Sequence, residues 1–363
     1  MFSPADYAFM SYALRLAEKG LYGTTPNPRV GCVITHDEQI VGSGWHEKAG
    51  QPHAEINALN NAGGAARGAT AYVTLEPCGH YGRTQPCVNA LIAAGIARVI
   101  MAMEDPNPLV SGRGKALLEQ AGIVVQTGLL EAEASALNVG FVTRMVHKKP
   151  WIRLKTAASL DGKTALNNGV SQWITGESAR QDGHRWRARS CAIMTGIGTV
   201  KSDNPQLTVR HIKTRRQPKK IVVDSHFVIP LDAKLLQGGE EVFIFTANDD
   251  NPKKNAALSK MGVRVIVLPN AEGRVDLERM MMMLADFGMN EVLVEAGCGL
   301  NGALIEAGLI DEMIIFLAPH LLGDDARGMV QLPEFTNLGQ KKTLKINDLR
   351  MVGQDIRIIA RFL

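Results

Sequence analysis

A chain of 363 residues, 45% hydrophobic and 21% charged, has the composition of a globular protein and is too long for one ordinary core, so it suits two domains. Its net charge of +4 is small for that length and makes no electrostatic case for nucleic-acid binding. No apolar run approaches the roughly 20 residues needed to span a membrane. The odd set Cys32, Cys78, Cys87, Cys191 and Cys298, behind an amino terminus without signal-peptide layout, favours the reducing cytoplasm over a disulfide framework.

From the amino terminus, Ser3-Pro4-Ala5-Asp6 reads as a helix start, with Ser3 as cap, Pro4 in the first turn and Asp6 near the positive end of the dipole. Periodicity predicts helices around 7–19, 54–61, 88–94 and 114–120, alternating with strands over 30–35, 39–44, 71–75, 98–103 and 123–126. Such alternation argues an α/β layer fold.

Within this stretch lie His53-Ala54-Glu55, Pro77-Cys78 and Pro86-Cys87. Zinc that does chemistry is held by three protein ligands, the fourth position being left to a water whose pKa falls to about 7. His53, Cys78 and Cys87 fit as the ligands, and Glu55 can reach the open position to shuttle a proton from the water to a leaving amine. Zinc nucleobase deaminases carry an H-x-E and a P-C-x-x-C motif, whereas here Gly79 to Pro86 separate the cysteines. The metal geometry survives that gap if Cys87 again opens a helix, and residues 86–95, with an early Pro and a terminating Gly, read that way. The plainer readings are a structural zinc site or unligated buried cysteines; a structural site would need His80 or His46 as fourth ligand.

One further helix is expected over 131–146, and the polar, Pro-terminated stretch 146–150 suits a linker, which divides the chain into 1–147 and 148–363. A second α/β series then follows, with strands over 151–156, 192–196, 220–224, 241–246, 264–268, 291–295, 313–317 and 354–362. Met280 to Met283 fall in an amphipathic helix and suit core packing. The basic run 211–220 reads as a solvated loop or as an attractor of a phosphorylated molecule or RNA. Gly297-Cys298-Gly299-Leu300-Asn301-Gly302 matches G-x-G-x-x-G ahead of a helical stretch, yet no acidic residue follows at the dinucleotide-fold spacing, so a plain glycine turn remains open. Arg187 and Arg210 could grip a phosphate, or be surface salt-bridge partners. Lys155, in an apolar strand, could donate a proton into a cleft or snorkel at an edge.

Taken together, these residues resemble the bifunctional riboflavin-biosynthesis deaminase-reductase family across both halves. The first half carries Thr25-Pro26-Asn27-Pro28-Arg29-Val30-Gly31, His53-Ala54-Glu55 and the stretch from Glu76-Pro77-Cys78 to Pro86-Cys87, whose long intercysteine loop is itself a family feature. The second carries Ser159-Leu160-Asp161-Gly162-Lys163-Thr164, Ser171-Gln172-Trp173-Ile174-Thr175, the stretch 199–210 and Val294-Glu295-Ala296-Gly297. The resemblance implies a cytidine-deaminase-like domain holding Zn2+ and a dihydrofolate-reductase-like domain using NADPH. It also implies NADPH contacts from Ala157, Trp173, Thr199, Asp203, Ser225 and the loop Gly297, Cys298, Gly299, Leu300, Asn301, Gly302 and Ala303. Substrate contacts would come from Ser171, Arg187, Leu207, Arg210 and Glu295, with Lys155, Asp203 and Glu295 nearest the chemistry. The implied substrate is a diamino-ribosylamino-pyrimidinone 5′-phosphate, deaminated on the ring and then reduced at C1′ of the sugar.

Two rival readings follow from the zinc motif alone. A polynucleotide base deaminase with an unrelated second domain requires a basic, aromatic-rich channel, whereas aromatic residues are 5% of this chain. A zinc-stabilised binding module without catalysis leaves Glu55 unexplained. Nucleic-acid and membrane partners are not expected; a homo-oligomer is compatible with the sequence.

Overall fold

The computed structural model describes residues 1–79, 86–108 and 110–363, so His80 lies outside the described residues. The chain forms two compact units, Met1–Lys148 and Lys149–Leu363. In the first, strands β1 (Gly31–His36), β2 (Gln39–Trp45), β3 (Thr70–Val73), β4 (Arg98–Met101) and β5 (Val124–Thr127) form one sheet in the order β2-β1-β3-β4-β5. β1 runs antiparallel to β2 and β3, while β3, β4 and β5 are parallel.

Helix Pro4–Glu18 begins with the expected cap: Asp6 N–H donates to Ser3 Oγ, and the Asp6 carboxylate accepts from Ser3 N–H. That carboxylate also accepts from Tyr72 Oη at 2.8 Å and Arg98 Nη1 at 3.1 Å, which fastens the helix to the sheet. Helix Ala54–Ala62 lies close on β2 because Gly42 and Gly44 have no side chain: a Cβ there would fall 2.3 Å from Ala58 O and 2.6 Å from Asn57 Cβ. This contact places His53, the residue capping that helix, over the sheet.

The single helix expected over 131–146 is two, Glu131–Leu137 and Val139–His147. Asn138 breaks it: its amide pairs with the Arg29 backbone like a strand, Oδ1 accepting from Arg29 N–H at 2.8 Å and Nδ2 donating to Arg29 O at 2.9 Å. The second helix ends at Lys148, a left-handed cap with φ 55° and the last residue of this unit.

The second unit is built on β6 (Trp151–Ser159), β7 (Lys163–Ala165), β8 (Ala192–Gly196), β9 (Lys219–Val223), β10 (Val242–Thr246), β11 (Val263–Val267), β12 (Glu291–Val294), β13 (Glu312–Ala318), β14 (Arg327–Gly328), β15 (Leu344–Val352) and β16 (Asp355–Phe362). Nine of these form one sheet, β11-β10-β9-β8-β12-β6-β13-β16-β15, parallel from β11 to β13 and antiparallel thereafter; β7 and β14 pair separately. The inner strands are apolar runs because helices cover both faces, as Phe243, Phe245, Val292 and Val294 illustrate. Helix Leu277–Asp286 packs Met280 and Met281 into this core, while Met282 is exposed. Not expected from the sequence were β7, β14, β15 and helices Glu177–Arg189, Ile197–Asp203 and Pro252–Lys260.

Candidate active sites

In the first unit, His53 precedes the first turn of helix Ala54–Ala62, and Cys87 opens helix Cys87–Ala93 behind Pro86. Two residues before Cys78, the buried carboxylate of Glu76 accepts from the backbone N–H groups of Asp105, Gly112 and Lys115 at 3.0 to 3.1 Å, and Cys78 Sγ itself accepts from Cys87 N–H at 3.3 Å. The ligand atoms of His53, Cys78 and Cys87 all lie within 4.8 Å of one another. His53 Nδ1 is 3.6 Å from Cys78 Sγ and 3.3 Å from Cys87 Sγ. Tetrahedral zinc with nitrogen at about 2.0 Å and sulfur at about 2.3 Å sets such atoms roughly 3.5 Å apart, so the three residues fit the metal.

Hydrogen bonds from Cys87 outweigh burial and, with His53, hold the Cys78 thiol down to about 4, while the same coupling and burial push Cys87 up. Glu55, in the first turn of its helix and 3% exposed, is pushed up to about 7 by burial and by the charge on Cys78. It stands beside the three-residue cluster without belonging to it. His46 is not a fourth ligand. Its Nδ1–H donates to Pro52 O at 3.1 Å, its Nε2 accepts from the Asn27 amide at 3.1 Å, and its ring meets that of His53 edge-on. It orients the turn into His53 instead, a role the sequence reading did not give it.

In the second unit a cleft of about 1010 Å³ opens over the carboxyl ends of the inner strands. Lys155, Ala157, Ser171, Trp173, Arg187, Thr199, Asp203, Arg210, Ser225, Glu295, Gly297, Cys298, Gly299, Leu300, Asn301 and Ala303 line it. Leu207 and Gly302 do not. Leu207 is 3% exposed and packs inward, and Gly302 is where the helix start meets the chain at Gln331, a Cβ there falling 1.8 Å from Gln331 O. Helices Ile197–Asp203 and Cys298–Glu306 both begin at the cleft, presenting free backbone N–H groups to an anion.

Glu295 lines this cleft between Arg187 and Lys155. Burial pushes its carboxyl up, but Arg187, donating from Nε at 2.6 Å and Nη2 at 2.8 Å, overrides burial and with Lys155 holds it at about 2. Burial pulls the Lys155 ammonium below its ordinary range, against the opposing charge of Glu295. Arg187 Nη1 also donates to Thr208 O at 3.0 Å, Gln217 pairs with both backbone groups of Val209, and His184 Nδ1 accepts from Arg210 N–H at 3.1 Å. Three side chains thus hang the irregular segment carrying Arg210. His184 was missed because its helix, Glu177–Arg189, was not read from the sequence.

The basic run 211–220 is also more than a solvated loop. Arg216 caps the end of that helix by donating to Ser190 O, Ala188 O and Arg189 O, and Lys220 is fully buried on Leu235 O, Gln237 O and Glu240. No described helix is long and apolar enough to cross a membrane.

Residues 3–103 match the model of the cytidine and deoxycytidylate deaminase zinc-binding region, and residues 150–358 match that of the RibD C-terminal domain. Riboflavin biosynthesis protein RibD of Escherichia coli is 48% identical over 364 residues, covering 97% of this chain and 98% of that protein. This chain belongs to the RibD family. RibD of Acinetobacter baumannii superposes with a TM-score of 0.93 at 44% identity, with 99% of both chains covered. A Thermotoga maritima structure described as a diaminohydroxyphosphoribosylaminopyrimidine deaminase/5-amino-6-(5-phosphoribosylamino)uracil reductase gives 0.88 at 31% identity, again over 99% of both chains. As a RibD protein, the chain is a bifunctional deaminase and reductase of riboflavin biosynthesis, with a cytidine-deaminase-like domain followed by a RibD-type reductase domain. Both rival readings fail on this full-length match.

Proposed function

We propose that the part of the chain before the linker, 1–147, deaminates 2,5-diamino-6-ribosylamino-4(3H)-pyrimidinone 5′-phosphate, and that 148–363 reduces the product's ribosyl group to ribityl. The observation that carries this reading is the convergence of His53, Cys78 and Cys87 beside a buried, protonatable Glu55. Zn2+ held by those three residues supplies an activated water when bound. Glu55 moves a proton between the attacking water and the leaving amino nitrogen, a role suited to a carboxyl held near neutrality. His46 and Glu76 brace the backbone beside the ligands, His46 through Pro52 O and Glu76 through the N–H of Lys115.

NADPH bound in the second domain would supply the hydride. Ala157, Trp173, Thr199, Asp203, Ser225 and the loop around Gly297 would hold it, with the start of helix Cys298–Glu306 suited to its phosphates. Arg187, Arg210 and Ser171 hold the substrate; Glu295 fixes Arg187, and Lys155 delivers a proton to the reacting sugar. The substrate is a free nucleotide in the cytoplasm, and no nucleic acid takes part. Supplying the purified protein with the pyrimidine phosphate tests the reading: ammonia release should precede NADPH oxidation. A zinc-replete protein that releases no ammonia overturns the deaminase assignment.

A further inference from the structure

We propose that Arg274 and Ser225 form the subsite for the 2′-phosphate of NADPH, and that Arg274 makes the reductase domain prefer NADPH to NADH. The inference rests on the nicotinamide-cofactor reading above and adds to it the residue that discriminates between the two cofactors.

The cleft runs across strand ends in a fixed order. Lys155 lies on β6 and Glu295 just past β12; Gly196 ends β8 with Ile197 to Thr199 after it, and Ser225 follows β9. Three inter-strand steps separate β6 from β9 in the sheet, about 14 Å at the usual spacing. A dinucleotide with its nicotinamide at Lys155 and its pyrophosphate at the start of helix Cys298–Glu306 therefore brings its adenosine to the β9 end. Arg274 stands at that end. It lies in the turn after β11, where Asn270 N–H donates to Arg274 O at 2.7 Å and Arg274 N–H donates to Asn270 Oδ1 at 2.8 Å.

The turn is tied to β9 by one bond, from Val275 N–H to Ser225 Oγ at 3.1 Å. Because Ser225 Oγ accepts there, its own hydrogen is left to donate to a phosphate oxygen. The other cationic side chains on the cleft wall are committed. Arg187 grips Glu295, Lys155 faces Glu295, Arg180 covers Trp173 and donates to Thr175 O, Arg210 bonds Thr208, and Arg327 donates to Asn167 O. Among the described lining residues, Arg274 is the cation whose side chain has no hydrogen bond, ion pair or ring contact.

The acidic groups agree. A carboxylate at a strand end takes the ribose 2′-hydroxyl and favours NADH, whereas an arginine accommodates the 2′-phosphate. The carboxylates on the cleft wall, Glu177, Asp203 and Glu295, follow none of β9, β10 or β11. Asp276, two residues past Arg274, is engaged as the cap of helix Leu277–Asp286, accepting from Arg279 N–H at 3.0 Å.

Direct binding tests the proposal without turnover. Dissociation constants for NADPH and NADH are measured by nicotinamide fluorescence on the full-length protein, with adenosine 2′,5′-bisphosphate and 5′-AMP as competitors. In Arg274→Ala, affinity for NADPH and the bisphosphate should fall roughly 10- to 100-fold, as expected for a lost charge-assisted bond, while NADH and 5′-AMP are unmoved. Arg274→Lys should recover part of the loss, and Ser225→Ala should lose roughly 3- to 10-fold. Thermal melting confirms folding of each variant. Wild-type preference for NADPH that persists in Arg274→Ala overturns the subsite but leaves the cofactor reading standing. Wild-type protein that binds neither dinucleotide overturns both.

Discussion

Glu55 and Glu295 are both withdrawn from water, yet they settle at opposite ends of the carboxylate range, about 7 and about 2. Burial acts on both in the same direction. What differs is the company: Glu55 faces the sulfur of Cys78, whereas Glu295 receives two bonds from Arg187 and the charge of Lys155. A carboxyl poised near neutrality can carry a proton in both directions; one held at about 2 is a permanent anion that can orient cations but cannot donate. The two units therefore hold the same side chain in opposite protonation states, which is why the proposed proton donor of the reductase half is Lys155 and not Glu295.

Removing a metal ligand should break the contrast most completely. Cys78→Ser and Cys87→Ser should each lose zinc and deamination by more than the roughly 10- to 100-fold typical of losing an outer-shell partner. Cys32→Ser, Cys191→Ser and Cys298→Ser should keep the metal, because none of those thiols belongs to the cluster. Metal analysis of all five proteins decides between a three-ligand site and none. Next in size, Glu55→Gln keeps shape and zinc but cannot shuttle a proton, so ammonia release should fall roughly 10²- to 10⁴-fold while reduction of the deaminated intermediate continues. Near-normal ammonia release from zinc-replete mutant protein would refute the role given to Glu55.

The two sites also differed in how much of them could be read from the chain. Two ligands of the metal cluster sit at helix starts marked by local punctuation, Pro52-His53 and Pro86-Cys87, so spacing alone exposed them. The cleft draws Lys155, Arg187 and Glu295 from three elements far apart in sequence, and spacing says nothing about their meeting; the family resemblance supplied them. Helix Glu177–Arg189 escaped because its inward face is Ala179, Asp182, Gly183, His184 and Ala188, a buried face without a large apolar residue. The break at Asn138 escaped for a related reason, since its partner Arg29 lies 109 residues away. β15 was hidden by its exposure at the sheet edge, where polar residues interrupt the alternation.

Neutralising Glu295 should make the second unit behave differently from the first. Glu295→Gln leaves Arg187 without its carboxylate and removes the charge opposing Lys155, so turnover of the deaminated intermediate should drop roughly 10- to 100-fold. Ammonia release should be unaffected. The wild-type pair should be insensitive to pH from 8 to 5, because a carboxyl held at about 2 loses its charge, and the stability that depends on it, only as pH falls from its ordinary 4.5 through 2. A titration of the reductase step showing a Glu295-dependent inflection near 6 would contradict the ion-pair account.

The smallest expected effect concerns His184, whose Nδ1 holds Arg210 N–H. Burial, with the cations Arg187 and Arg210, pulls this ring down to about 4, so at neutral pH it is uncharged and Nδ1 is free to accept. His184→Leu leaves a backbone donor unpaired and lets the Arg210 segment drift. The KM of the reductase step should rise roughly 5- to 20-fold with kcat little changed. His184→Asn, whose side-chain oxygen can accept the same N–H, should recover most of the affinity, which simple loss of packing would not allow. The sign of the pH effect follows from the lowered value. Between pH 6.5 and 4 the unfolded chain takes up a proton that the folded ring refuses, so the stability His184 contributes is full above 6.5 and drains away on acidification toward 4. Wild-type melting should therefore lose more ground over that window than His184→Asn, the loss common to both coming from groups such as His46, whose ring burial also holds below its ordinary range. A His184→Leu protein with the KM of wild type, together with equal pH dependence of wild type and His184→Asn, would show that the ring does not hold Arg210.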